Sequence, residues 1–164
     1  MTVGRKHEII KMAISRLLET YAGEMRIGIE GVGNVNCRRA GLDRGLEPDE
    51  CYYVTSVYQG AEDKLDLDNN PPPDLAVEVE VSSSIGTRAA LYAELGVPEL
   101  WRFDGKGVIV LELVEGTYRL AERSRFFPAL DLVEFSQFVI RAIRDQRTVV
   151  LEYSDLLRSR KGRS

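Results

Sequence analysis

The chain is 164 residues long, 44% hydrophobic and 29% charged, with a net charge of −4. This suits one domain with a full-sized core and excludes a low-complexity tail or a chain built as a whole to coat polyanions. No apolar run reaches the roughly 18 residues that cross a bilayer, so no membrane segment is expected.

Residues 5–22 predict a helix, because Ile9, Ile10, Ala13, Ile14, Leu17, Leu18 and Tyr21 recur at three- and four-residue spacing, with Gly23 as its expected stop. The N-terminus leads into this amphipathic segment rather than into the apolar stretch of a signal peptide. Residues 27–35 set Ile27, Ile29, Val32 and Val35 among glycines and predict a first strand, bent at Gly31 and Gly33. Residues 51–57, Cys-Tyr-Tyr-Val-Thr-Ser-Val, predict a second. A polar loop with three prolines follows over 60–73. Cys37 and Cys51 read as free thiols in a reducing, cytoplasmic setting. With His7 the only histidine and no CxxC, a zinc site is not expected.

Residues 71–81, Pro-Pro-Pro-Asp-Leu-Ala-Val-Glu-Val-Glu-Val, are the most informative stretch. In a strand, Asp74, Ala76, Glu78 and Glu80 share one face, while Leu75, Val77, Val79 and Val81 form a β-branched core face. Like charges two positions apart lie roughly 6 to 7 Å from each other and repel unless water or a cation screens them. Two readings are open here: a solvated acidic face, or a row of hard oxygen ligands for Mg²⁺. Asp74, behind its prolines, reads as a strand-start residue, and Asp66 and Asp68 as solvated turn residues.

Ser83 or Ser84 is placed to cap a helix ending at Leu95 before Gly96. Residues 99–103 and 108–113 predict a hairpin across Asp-Gly-Lys-Gly, and 117–121 a further strand. A helix is expected over 130–143, then a strand or helix over 148–157. Basic residues gather at Arg38 and Arg39, at Arg123 and Arg125, at Arg141 to Arg147, and in a tail from Arg158; acid concentrates between Glu47 and Glu80. The order predicts an α/β domain with one mixed sheet flanked by helices.

Leu-Glu-Pro-Asp-Glu-Cys-Tyr-Tyr-Val (46–54), the block at 71–83 and Leu-Tyr-Ala-Glu-Leu-Gly-Val-Pro-Glu-Leu-Trp-Arg-Phe (91–103) resemble, in order, the bacterial Uma-two family. That family belongs to the restriction-endonuclease-like, or PD-(D/E)xK, superfamily of metal-dependent nucleases. The resemblance implies one restriction-endonuclease-like domain over 1–164, with its core at about 5–143 and a basic tail at about 158–164. It makes Asp49 of Pro48-Asp49 a first metal ligand and Glu78 a second, with the Val79 carbonyl as a further one. Glu80 stands where the superfamily has its lysine; it can bind metal or accept a proton, but cannot stabilise negative charge at phosphorus. Relatives commonly carry a lysine at the position of Arg88, and an arginine there would stabilise phosphate charge while making a poor base.

The implied catalytic set is therefore Asp49, Glu78, Glu80 and Arg88, with Mg²⁺ or Mn²⁺ held by the three acids. The implied activity is DNA phosphodiester hydrolysis. Glu8 and Glu30 are weaker candidates for the acidic cluster. His7 reads as a surface or capping residue, Tyr92 as a packing residue, and Trp101 and Leu100 as core. The alternative is a catalytically impaired relative acting as a nucleic-acid-binding or assembly module. A homodimer paired through an exposed edge at 108–113 is compatible with either.

Overall fold

A computed structural model describes residues 4–42, 45–60, 64–80 and 85–162, and for 85–87 the backbone alone. The first helix, α1, runs from Arg5 to Met25 and buries Ile10, Ala13, Ile14, Leu17, Leu18 and Tyr21. It passes straight through Gly23, because packing of that stripe outweighs the roughly 1 kcal/mol helical cost of one glycine. The stop falls instead at Arg26, left-handed at φ 56°. There the Arg26 and Ile27 N–H groups return to the Gly23 and Ala22 carbonyls at 3.2 and 2.8 Å.

Of the strand expected over 27–35, only β1 (Glu30–Gly31) pairs. Gly33, at φ 68°, turns the chain away. It then forms β2 (Cys37–Arg38), which pairs in parallel with β4 (Leu65–Asp66) in a small separate sheet. β4 lies within the expected loop; two residues carry no periodicity to read. Between them, β3 (Glu50–Tyr53) ends earlier than predicted. The next three N–H groups, of Val54, Thr55 and Ser56, donate to the Asp74 carboxylate at 2.7, 2.7 and 2.8 Å, so a side chain takes the donors that a longer strand would use.

The remaining elements are β5 (Leu75–Val79), α2 (Ile85–Leu95), β6 (Glu99–Phe103), β7 (Val108–Val114), β8 (Thr117–Ala121), α3 (Leu132–Ala142) and α4 (Gln146–Lys161). The main sheet has the order β1-β3-β5-β6-β7-β8 and is antiparallel except between β5 and β6, which α2 connects. The cap expected at Ser83 or Ser84 lies outside the described residues. β8 pairs along β7 from Val110 to Val114. From Val110 onward the expected free edge at 108–113 is therefore interior, and β8 is the edge strand on that side of the sheet.

The open choice at 148–157 resolves as helix. Asp145 caps it at the Thr148 N–H (3.2 Å), and Val149, Tyr153 and Leu157 repeat every four residues into the core. Arg158 and Arg160 pair with Glu24 and Glu134 on the helical surface rather than trailing as a tail.

Leu75, Val77 and Val79 pack with α1, α3, α4 and the buried Trp101 on one face of the sheet. Ala76, Cys51 and Tyr53 pack on the other with Tyr92 and Leu95 of α2 and with the small sheet. Full burial of each large apolar side chain is worth about 1.5–3 kcal/mol. No helix among the described residues is long and apolar enough to cross a membrane.

Candidate active site

The acidic face of β5 is not a solvated row, because each of its carboxylates has its own protein partners. Asp74, 3% exposed, is spent on the turn after β3. Glu80 takes both ends of the Arg102 guanidinium, Nε at 3.0 Å and Nη2 at 2.8 Å, a bidentate pair that uses both carboxylate oxygens. Only Glu78 faces the sequence-predicted site. The register of β3 against β5 pairs Glu50 with Val77, so one step further along it Asp49 opposes Glu78.

Asp49 Oδ2 accepts the Val79 N–H at 2.7 Å and meets His7 Nε2 at 2.9 Å. Its Oδ1 has no donor among the described residues. Glu78 Oε1 accepts from Arg88 Nη2 at 2.5 Å and, through a very short contact, from the Tyr92 hydroxyl. Its Oε2 has no described donor either. Burial pushes the Glu78 carboxyl above the usual carboxylate range; Arg88 and Tyr92 oppose this, and the negative charge of Asp49 adds to it. Burial drives the Tyr92 phenol strongly upward, so it stays a proton donor.

Arg88 also donates from Nη2 to the Glu47 carbonyl at 2.9 Å, which ties α2 to the segment leading into Asp49. Two buried side-chain nitrogens among the described residues lack a hydrogen-bond partner, His7 Nδ1 and Arg88 Nε. His7 Nδ1 lies 3.4 Å from Glu8 Oε1, which is itself engaged with Lys11 through its other oxygen, but is not aligned for a hydrogen bond. Buried polar atoms are rarely left unmatched, and both exceptions touch the two facing acids.

Asp49, Glu78 and Arg88 are thus brought together, whereas Glu80 is drawn away to Arg102. Among the described residues no set of three or more His, Cys, Asp or Glu side chains is gathered to hold a metal ion. Glu30 is exposed on the edge strand β1. His7 is the contact to Asp49 that the sequence does not reveal: 42 positions separate the two, and the packing of α1 on the sheet joins them. Tyr92 had a signal in the sequence, its place four residues after Arg88 on one helical face. The two unspent oxygens, Asp49 Oδ1 and Glu78 Oε2, are hard donors of the kind Mg²⁺ and Mn²⁺ take. Mg²⁺ commonly uses one or two carboxylates and completes its shell with water and substrate phosphate, so the pair fits such an ion.

A mixed sheet flanked by helices, with Asp49 just before β3 opposed to Glu78 of β5, defines a mixed α/β protein. Residues 1–142 match the profile of the Uma2 family, described as "Putative restriction endonuclease". The chain belongs to that family. Among solved structures, one described as "a putative nuclease belonging to DUF820" from Anabaena variabilis is 15% identical, with a TM-score of 0.56 over 85% of this chain and 84% of that one. At that identity the likeness is one of fold. No curated protein matches the chain.

Proposed function

We propose that this protein is a metal-dependent endonuclease that hydrolyses DNA phosphodiester bonds, with Asp49 and Glu78 as its cation ligands. One observation carries the reading. Two opposed acids each keep one oxygen without a donor among the described residues, and the orphaned buried nitrogens there belong to the residues that hold them. A bound Mg²⁺ or Mn²⁺ would lower the pKa of an attacking water and neutralise charge on the phosphate.

The chain's own residues do the rest. His7 and the Val79 amide hold Oδ2 of Asp49, which leaves Oδ1 to ligate. Tyr92 and Arg88 hold Oε1 of Glu78 in the same way. Arg88 stays protonated throughout, and the exposed part of its guanidinium supplies positive charge for a phosphate oxygen, a task the superfamily lysine would share. Glu80, neutralised by Arg102, serves to fix the end of β5 rather than to ligate.

The test is nicking of supercoiled plasmid under Mg²⁺ and Mn²⁺. Cleavage by the wild type that is lost in Asp49→Ala and Glu78→Gln and kept in Arg119→Gln supports the reading. No cleavage of DNA under either ion contradicts it.

A further inference from the structure

Beside this centre lies a cavity of about 580 Å³ against the paired strands β2 and β4, lined among others by Arg38, Arg39, Lys64, Asp66 and Asp68. Its acids are committed to the local backbone and side chains. Asp68 accepts the Ala40 N–H with both oxygens, at 3.0 and 2.8 Å. Asp66 accepts from the Asp68 N–H at 3.0 Å and from Asn69 Nδ2 at 2.8 Å. Its cations, by contrast, form no ion pair with any described carboxylate.

The two guanidinium groups are nevertheless anchored by neutral oxygens. Arg38 Nε donates to Asn36 Oδ1 at 3.0 Å, and Arg39 Nη1 donates to the Glu94 carbonyl of α2 at 2.9 Å. Each keeps its full charge and its remaining N–H groups, already oriented. That state suits a phosphate oxygen, because less side-chain freedom is left to lose on binding.

The anchoring also fixes the cavity relative to the proposed centre. From Arg38 the contacts run to Asn36, from Asn36 Nδ2 to Glu47 Oε1 at 3.0 Å, and from the Glu47 carbonyl to Arg88. Arg88 in turn holds Glu78. A Cβ at Gly45 would overlap the Asn36 side chain, so glycine there is what lets Asn36 bridge. Arg39 is tied to α2, the helix that carries Arg88 and Tyr92.

From this juxtaposition we infer that the Arg38–Arg39–Lys64 cavity is a phosphate subsite, which takes the backbone of the DNA strand flanking the phosphodiester at Asp49 and Glu78. The inference rests on the nuclease reading and adds how the substrate is gripped. An overall charge of −4 gives the chain no general affinity for a polyanion, so a local set of unneutralised cations is needed to hold one.

The test is fluorescence anisotropy of a labelled 20-base-pair DNA duplex, without divalent ion, across a KCl series. It compares Asp49→Ala alone with Asp49→Ala plus Arg38→Gln, Arg39→Gln and Lys64→Gln. Every phosphate that the protein ceases to neutralise takes about 0.9 from the slope of log affinity against log salt. The cavity variant is expected to flatten that slope by about 2 to 3 and to bind at least tenfold more weakly at low salt. Arg119→Gln with Arg123→Gln, at the other end of the sheet, should leave the slope unchanged. An equal slope in the cavity variant, in a protein whose wild type still nicks plasmid, overturns the subsite alone. A steep slope that the cavity variant flattens, in a protein that cuts nothing under any divalent ion, supports the subsite and overturns the hydrolytic reading alone. No binding of any duplex overturns both.

Discussion

At the N-terminal ends of β5 and β6, Asp74 and Glu99 are 3% and 0% exposed, and the protein itself satisfies both oxygens of each. Asp74 serves three N–H groups and the Ser56 hydroxyl. Glu99 receives Trp101 Nε1 at 2.5 Å, the Ser124 hydroxyl at 2.6 Å and the Arg125 N–H at 2.8 Å. At the C-terminal end of β5, Glu78 and its neighbour Asp49 are also largely buried, yet each has an oxygen with no described donor. The same residue type is fully matched within the fold at one end and keeps an oxygen unmatched by the described residues at the other. Burial alone does not separate the two uses; matching of donors to acceptors does.

The sharpest way to break this comparison is to remove acids at each end and measure cleavage and stability separately. Asp49→Ala and Glu78→Gln should each cut plasmid nicking about 10³-fold, near 4 kcal/mol of transition-state stabilisation, while keeping a cooperative thermal transition. Loss of cooperative folding in either would place them with Asp74. Asp74→Ala should do the opposite. It strands three N–H groups that donate to its carboxylate and should cost about 3 kcal/mol in urea unfolding, with normal cleavage by whatever remains folded.

A smaller effect comes from pH. Burial pulls the Asp74 carboxyl up, but the Ser56 and Val54 N–H groups and their neighbours outweigh it, leaving its pKa below the ordinary 3.8. A lowered folded pKa means stability that is fully present above the unfolded value and lost as pH falls through the folded one. Burial raises Glu99 above the ordinary 4.5, with Ser124 and Trp101 opposing. Its contribution is present below the unfolded value and lost as pH rises through the folded one. Urea midpoints should therefore fall on acidification below about pH 4, less steeply in Asp74→Asn. Glu99→Gln should flatten the decline on the alkaline side of the ordinary glutamate value. Unchanged profiles in both variants would remove these groups from the account.

The smallest effect lies at the end of α1. Arg26→Gly relieves a left-handed non-glycine residue and should raise stability by about 0.5–1 kcal/mol, read as a shift in urea midpoint.

How far the sequence could be read follows from the range of the interactions. The stripe of α1, the alternation of β5, the hairpin of β6 and β7, and the opposition of Asp49 to Glu78 rest on local periodicity or on the family motif, and all are legible. The early end of β3 depends on Asp74, which lies 18 to 20 positions further along. The diversion of Glu80 depends on Arg102 on the next strand. His7 reaches Asp49 only because α1 packs across the sheet. Val149 and Val150 masked the helical period of α4 with β-branched side chains. In each case a partner remote in sequence, or a propensity overridden by packing, decided the outcome.

Asp49 and Glu78, and not Glu80, are the proposed ligands of the cation, and their part in holding it can be measured directly. Direct Mn²⁺ binding, followed by titration calorimetry on the wild type, Asp49→Ala, Glu78→Gln and Glu80→Gln, tests it without reference to any substrate. Binding that is lost in Asp49→Ala and Glu78→Gln and kept in Glu80→Gln is the predicted result. Wild-type affinity in Asp49→Ala and Glu78→Gln, or loss confined to Glu80→Gln, would contradict it.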